Sequence, residues 1–137
     1  MPLKRINIAF CFDENMWMLS GVAIASLLYH AMGNCAYDIY CVVPEDLSQS
    51  KRDELTMMVN NMDKNSKIIF LNANHDFDSS VVKQYTTGIY YRFMLLKLLP
   101  KNVDKIIYCD ADTAFHDNLL KLYNINIGKN LIAGVSD

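Results

Sequence analysis

Two carboxylates stand one residue apart at the end of an apolar run. The run is IIYC at 106–109, and Asp110 and Asp112 follow it. Side chains at i and i+2 leaving a strand point to the same side, so both carboxylates can reach one cation. Mg²⁺ and Mn²⁺ prefer oxygen ligands and are usually held by one or two carboxylates together with substrate phosphates. By itself the pattern fits a divalent metal site for a phosphate-bearing ligand and a polar turn formed by the two aspartates equally well, so its context has to decide.

Alternating strands and helices precede this pair and must position it. Apolar, Ile- and Phe-rich runs of the kind that form strands covered on both faces lie at 6–12, 37–43, 67–71 and 104–109. Helical patterns run from about Met18 to Met32, after a capping Ser48, and over 90–99. The β-α-β alternation predicts an α/β fold, Rossmann-like, in which a mostly parallel sheet carries helices on both faces.

The ends of the first and fourth strands carry the polar residues that could bind a ligand. In open parallel sheets, ligands bind just beyond the carboxyl ends of the strands. Asp13 and Glu14 follow the first strand as Asp110 and Asp112 follow the fourth. We therefore expect both acidic groups to face one crevice.

The last segment, LIAGVSD at 131–137, is expected to form a further core strand. It ends on Asp137, the last residue given. The sequence is therefore expected to be a truncated part of a longer protein.

Composition narrows the classes of partner. The 137 residues suit one domain, and 13 scattered basic residues against 15 acidic ones give no footprint for nucleic acid. The longest nearly apolar stretch, 16–32, contains Ser20, Ser26 and His30 and is shorter than the roughly 20 apolar residues of a membrane span. We expect no transmembrane segment, no signal peptide and a cytoplasmic location. The four cysteines lack CxxC spacing and are expected to be reduced core residues.

Four segments in this order resemble glycosyltransferase family 8. They are IAFCFDEN at 8–15, YYRF at 90–93, IIYCDADTAFHDNLLKLY at 106–123 and AGVSD at 133–137. The family comprises retaining enzymes of GT-A fold, among them bacterial lipopolysaccharide galactosyl- and glucosyltransferases and glycogenin. The resemblance implies that residues 1–137 form the N-terminal, nucleotide-sugar-binding part of such a domain. A histidine that completes the metal shell, and the acceptor site, would lie beyond Asp137.

The resemblance also implies roles for individual residues. Asp110 and Asp112 match the DxD motif, which holds Mn²⁺ (or Mg²⁺) against the diphosphate of a UDP-sugar, and Asp110 would also lie near the ribose or the donor sugar. Asp13 and Asn15 match the first-strand motif that contacts uracil and ribose.

Three further positions take roles near the donor sugar on the same ground. Arg92 matches the arginine that reaches toward the donor sugar and the DxD carboxylates. Asp137 matches an acidic residue near the donor sugar, so Arg92 and Asp137 are the candidate catalytic residues. Tyr90 is a candidate contact to the ligand.

The implied activity is transfer of glucose or galactose from a UDP-sugar, with retention, to a cell-surface glycan or glycolipid acceptor such as lipopolysaccharide. Any peripheral attachment to the inner membrane face would come from residues beyond Asp137. The 137 residues alone are expected to bind UDP weakly and to transfer little.

Two other functions compete with this interpretation. The run with DADT at 110–113 also matches the DxDxT signature of haloacid-dehalogenase-type phosphatases, in which the first aspartate is a nucleophile and Mg²⁺ lies between the two. That motif normally ends the first strand of its fold, whereas three predicted strands precede it here. A non-catalytic nucleotide-sugar-binding module is the second alternative.

His116, four residues beyond Asp112, is a candidate third metal ligand, although a surface turn is favoured for it.

Overall fold

The protein was analysed as a computed structural model, which describes residues 2–31, 33–73 and 87–134, and for 87–90 the backbone alone. Strands and helices alternate along the chain, as the apolar runs predict. They are β1 Lys4–Cys11, α1 Trp17–Tyr29, β2 Cys35–Pro44, α2 Gln49–Met62, β3 Lys67–Ala73, α3 Thr87–Leu98, β4 Ile107–Tyr108 and α4 Leu120–Tyr123.

The described strands form one parallel sheet in the order β3-β2-β1-β4. This confirms the predicted parallel α/β fold. The fourth strand is much shorter than the predicted 104–109, since only Ile107 and Tyr108 pair with β1. Just before it, the carbonyl of Lys105 accepts hydrogen bonds from the side chains of Asn7 and Tyr123, each at 3.1 Å, in place of a strand partner.

Both faces of the sheet are covered, as the apolar strands predict. Ile6, Ile8 and Phe10 of β1 are completely buried in a core that also contains residues of α1 and α2. The alternate residues Ala9 and Cys11 lie on the opposite face, in a second core with residues of α3. The strand period of two residues thus divides β1 between two hydrophobic layers.

The predicted cap of α2 is confirmed, because the Ser48 side chain accepts a hydrogen bond from the backbone N–H of Lys51 at 3.4 Å.

The four cysteines are free, and Cys11, Cys35 and Cys41 are buried in β1 and β2. Burial raises the pKa of the Cys11 thiol to about 12, so this thiol stays protonated at neutral pH.

Of the described helices, none combines the length and the apolar character needed to cross a bilayer.

The prediction of a core strand at 131–137 is wrong for the part of it that is described. Leu131 and Ile132 are 96% and 86% exposed, and residues 131–134 pair with none of the described strands. An apolar run forms a strand only where a neighbouring strand supplies hydrogen-bond partners, and none of the strands that the structure describes supplies them to residues 131–134. Residues 135–137 lie outside the described part of the chain.

A buried serine ties the start of β3 to β2 and yields a stability prediction. The Ser66 hydroxyl, 4% exposed, accepts a hydrogen bond from the backbone N–H of Tyr37 at 2.8 Å and donates one to Asp63. We expect Ser66→Ala to lower the free energy of unfolding by about 1–3 kcal/mol, because the buried N–H of Tyr37 loses its acceptor. Urea unfolding followed by circular dichroism measures the change. Ser50→Ala, on the exposed side of α2, is the control and should unfold as the wild type does.

Candidate active site

The site forms where the chain changes direction across the sheet. From β1 the chain goes first to β2 and β3 on one side, and β4 then returns to pair with β1 on the other side. This is the topological switch point of the sheet, the place where open α/β sheets bind ligands. Asp13 follows the last residue of β1 by two positions, and Asp110 follows the last residue of β4 by two. Neighbouring strands thus deliver both residues to one edge.

Asp110 is held by two side chains on the same oxygen. The Tyr108 hydroxyl donates a hydrogen bond to Oδ1 of Asp110 at 2.9 Å. Nη2 of Arg92 lies 3.6 Å from the same Oδ1, and the Arg92 guanidinium lies 5.4 Å from the centre of the Tyr108 ring. Burial, reinforced by the hydrogen bond to Asp110, raises the pKa of the Tyr108 hydroxyl, so it remains a donor at neutral pH.

A turn exposes the two carboxylates of the DxD motif. The N–H of Thr113 donates to the carbonyl of Asp110 at 3.2 Å and closes a turn over 110–113. Asp110 and Asp112 are exposed, while Ala111 between them is 6% exposed and packs in the core that contains Phe10, α1 and α2. The alternation expected from the sequence therefore persists through the turn: the middle residue anchors the backbone and the acidic side chains face water.

The segment after the turn is anchored to the core. The N–H of Phe115 donates to the Ser26 hydroxyl of α1 at 3.0 Å. The Phe115 ring packs edge to face against the Phe10 ring, with the two ring centroids 6.2 Å apart. The backbone that carries Asp110 and Asp112 is thus fixed at both ends, by β4 before the turn and by Phe115 after it.

Asp13 has a structural partner as well as a place at the edge. Its Oδ1 accepts hydrogen bonds from the backbone N–H groups of Asn15 at 2.9 Å and Met16 at 3.2 Å. The carboxylate thus holds the two N–H groups that precede α1, and the Met16 N–H also donates to the backbone carbonyl of Asp13 at 3.2 Å. The Asn15 side chain is exposed at the same turn.

Glu14 does not share the crevice as the sequence led us to expect. Its carboxylate pairs with Lys51 of α2, and Lys51 also lies 5.5 Å from the centre of the Trp17 ring. The ion pair and the cation–π contact draw Glu14 toward α2. The acidic residue of this turn that remains a candidate is therefore Asp13.

Two sequence-predicted residues lack a described side chain. Tyr90 belongs to α3 by its backbone, but its side chain is outside the described part, and Asp137 lies outside the described residues altogether. His116 is exposed. Sequence reasoning missed Tyr108, although its position two residues before Asp110 on the same strand face was a usable signal.

The donor set suits a hard divalent cation. In 2–31, 33–73 and 87–134, no group of three or more His, Cys, Asp or Glu side chains is arranged to hold a metal. Asp110 and Asp112 offer carboxylate oxygens alone, so most of a cation's ligands would be water or ligand oxygens. Mg²⁺ and Mn²⁺ are commonly bound in this way in the presence of phosphates. The residues present therefore fit such an ion.

Arg92 contributes little to stability, and this can be tested. Its side chain is 44% exposed and that of Asp110 is 63% exposed, so water screens their ion pair. We expect Arg92→Ala to change the free energy of unfolding by no more than about 1 kcal/mol, as measured by urea unfolding. A larger loss would mean that Arg92 is a structural residue of α3.

Comparison with known proteins gives a family match for this chain. A family model described as glycosyl transferase family 8 matches residues 7–137. The lipopolysaccharide 1,3-galactosyltransferase of Salmonella typhimurium is 26% identical over 96% of this chain, and the lipopolysaccharide glucosyltransferase WaaO of Escherichia coli is 24% identical over 95%. The chain spans only 38% of the length of each of these relatives.

Solved structures share the fold. The apo structure of the bifunctional glycosyltransferase WbbM superposes with a TM-score of 0.78 at 24% identity, covering 98% of this chain and 23% of WbbM. The galactosyltransferase LgtC in complex with donor and acceptor sugar analogues gives a TM-score of 0.73 at 20% identity, covering 90% of this chain and 44% of LgtC. The expected GT-A, Rossmann-like fold, of which the chain covers a part, is confirmed.

The phosphatase alternative loses its support at the same point. Its DxDxT motif would end the first strand, whereas DADT follows β4 here. The family model matches residues 7–137. This range includes DADT and, apart from residues 4–6 of β1, all of the described strands and helices. This chain belongs to glycosyl transferase family 8.

Proposed function

We propose that this chain forms the donor-binding part, residues 1–137, of a metal-dependent glycosyltransferase that takes its sugar from a UDP-sugar. The observation that carries the proposal is the ion pair of Arg92 with Asp110, beside the exposed Asp112, at the switch point of a family 8 fold. Exposed carboxylates beside the guanidinium of an arginine suit a diphosphate that binds together with a divalent cation.

Asp110 and Asp112 would hold Mn²⁺ or Mg²⁺. When bound, such a cation supplies neutralisation of the charge that develops on the departing nucleotide. Arg92 would orient the donor, because its planar guanidinium is already placed over Tyr108 and beside Asp110 and can direct N–H groups at sugar hydroxyls or phosphate oxygens.

The nucleoside end is assigned to the turn after β1. The Asp13 carboxylate is oriented by backbone N–H groups through one oxygen, and the exposed amide of Asn15 lies at the same turn. Both are suited to hydrogen bonds with uracil and ribose. Tyr90 as a donor contact and Asp137 as an acidic group near the sugar complete the proposed set.

The transferred sugar is proposed to be glucose or galactose, with retention, and the acceptor a cell-surface glycan or glycolipid such as lipopolysaccharide. The two lipopolysaccharide glycosyltransferases among its relatives support this choice. We place the enzyme in the cytoplasm, with any attachment to the inner membrane face provided by residues beyond Asp137. Since the acceptor site and a third metal ligand would also lie there, residues 1–137 alone should bind UDP weakly and transfer little.

Calorimetric titration of UDP tests the proposal. We expect heat of binding with Mn²⁺ present and none with a chelator, and CDP under the same conditions should bind more weakly because the base contacts differ. Equal binding of UDP with and without Mn²⁺ would contradict a metal-bridged diphosphate. The full-length protein separates an enzyme from a binding module, since an enzyme releases UDP from a UDP-hexose in the presence of acceptor glycan and a module does not.

A further inference from the structure

Arg92, Tyr108 and Asp110 contact one another at the end of β4. Of these three residues, Tyr108 alone has no proposed role in donor binding. Its ring is partly buried, packs against the core between the sheet and α3, and lies beneath the Arg92 guanidinium. Its hydroxyl donates to Asp110. Because the ring is held on two sides, the direction in which the hydroxyl donates is fixed before any ligand arrives.

Both contacts to Asp110 fall on one oxygen. Tyr108 Oη lies 2.9 Å and Arg92 Nη2 lies 3.6 Å from Oδ1. A carboxylate whose Oδ1 already accepts a hydrogen bond and lies beside a guanidinium is a poor bidentate ligand, because one lone pair of that oxygen is engaged and the positive guanidinium repels a cation placed next to it. The second oxygen is then the one available to a cation.

We propose that Tyr108 is a positioning residue that makes Asp110 a one-oxygen ligand and so favours small octahedral cations over Ca²⁺. Mg²⁺ and ions of similar size demand a near-octahedral shell and accept single carboxylate oxygens, whereas Ca²⁺ takes more oxygens and readily binds a carboxylate through both. The inference rests on the proposed function, since it requires the cation to bind at Asp110 and Asp112.

Tyr108→Phe tests this inference, because it removes the hydroxyl and keeps the ring that packs beneath Arg92. Mn²⁺ and, separately, Ca²⁺ are titrated calorimetrically into protein that contains UDP, with the same titrations into UDP alone subtracted. Removing a hydrogen-bond partner of a metal ligand typically costs 10–100-fold in affinity, so we expect Mn²⁺ to bind about 10-fold more weakly. Ca²⁺ should change less, because the freed Oδ1 can join its shell, and the preference for Mn²⁺ over Ca²⁺ should fall.

Tyr123→Phe is the matched control. Its hydroxyl is also hydrogen-bonded, to Asn7 and to the carbonyl of Lys105, but Lys105 precedes β4 and the site follows it. We expect this variant to keep the wild-type affinities for both cations even where its melting temperature falls. Thermal unfolding of Tyr108→Phe shows whether that variant is folded at the temperature of the titrations.

The outcomes distinguish failure of the Tyr108 role from failure of the proposed function. Wild-type affinities in Tyr108→Phe, or an equal loss for Mn²⁺ and Ca²⁺, would overturn the positioning role while Mn²⁺-dependent UDP binding by the wild type still supports the proposed function. Absence of Mn²⁺ uptake by the wild-type protein with UDP would overturn both.

Discussion

The double substitution Asp110→Asn/Asp112→Asn is expected to weaken Mn²⁺-dependent binding of UDP at least about 100-fold, which corresponds to about 2.7 kcal/mol. Asparagine keeps the shape of each side chain and removes its charge, and a hard divalent cation depends on that charge. Both side chains are exposed, so the fold should survive. Calorimetric titration of UDP at fixed Mn²⁺ measures the loss, and circular dichroism verifies the fold.

A charge-matched control removes two carboxylates elsewhere. In Asp53→Asn/Glu54→Gln the lost charges are on the exposed side of α2, where they accept hydrogen bonds from Gln49 and Ser50. We expect this variant to bind UDP as the wild type does, because its carboxylates bond within α2 and belong neither to the turn after β4 nor to the turn after β1. Retention of wild-type UDP binding by the Asp110/Asp112 variant would show that the DxD sequence is a polar turn and no more.

The second large effect concerns the core beneath the site. Phe10→Ala is expected to lower the free energy of unfolding by about 3–5 kcal/mol, since it removes a completely buried ring from the strand at the centre of the site. The same ring supports Phe115, so the turn that carries the DxD carboxylates loses its anchor as well. Because small domains have only about 5–15 kcal/mol of stability, this substitution could leave the protein barely folded.

Urea unfolding at low temperature keeps the measurement on Phe10→Ala within reach, and Phe10→Leu provides a milder variant where the alanine form does not fold. The control is Leu96→Ala on the outer face of α3, where the side chain is 81% exposed and its loss should change stability by no more than about 0.5 kcal/mol. A change below about 1 kcal/mol in Phe10→Ala would contradict the close packing of β1, Phe115 and the site turn.

Periodicity and chain order were enough to predict the layered architecture. INIAFCF reads as a strand buried on both faces, and β1 is indeed divided between two cores. The capping Ser48 was recognisable because a cap is a local signal, three residues from its donor. The proximity of Arg92 to Asp110 came from the family resemblance, since no pattern in the sequence alone links a helix residue to a turn 18 positions away.

Partners far apart in the chain account for what could not be predicted. The helical period of α2 would expose Arg52 in the polar run at 51–54, yet it is half-buried and donates to the carbonyls of Pro44 and Leu47 and to the side chain of Asn72. The short β4 depends on side chains that take over the carbonyl of Lys105. Such features follow from tertiary contacts, which a periodicity of two or 3.6 residues does not encode.

The most direct test of the central claim is to locate the cation itself by paramagnetic broadening of amide signals in a nuclear magnetic resonance spectrum of the UDP complex. If Mn²⁺ is held at the carboxyl edge between β1 and β4, then the amides of 110–113 and 13–16 will broaden first as Mn²⁺ is added. Those at the opposite end of the sheet, such as Lys4 and its strand partner Cys35, will stay sharp. Selective broadening around another acidic group, such as Asp38 and Asp63, or uniform broadening over the whole chain, would contradict a metal–diphosphate site at Asp110 and Asp112.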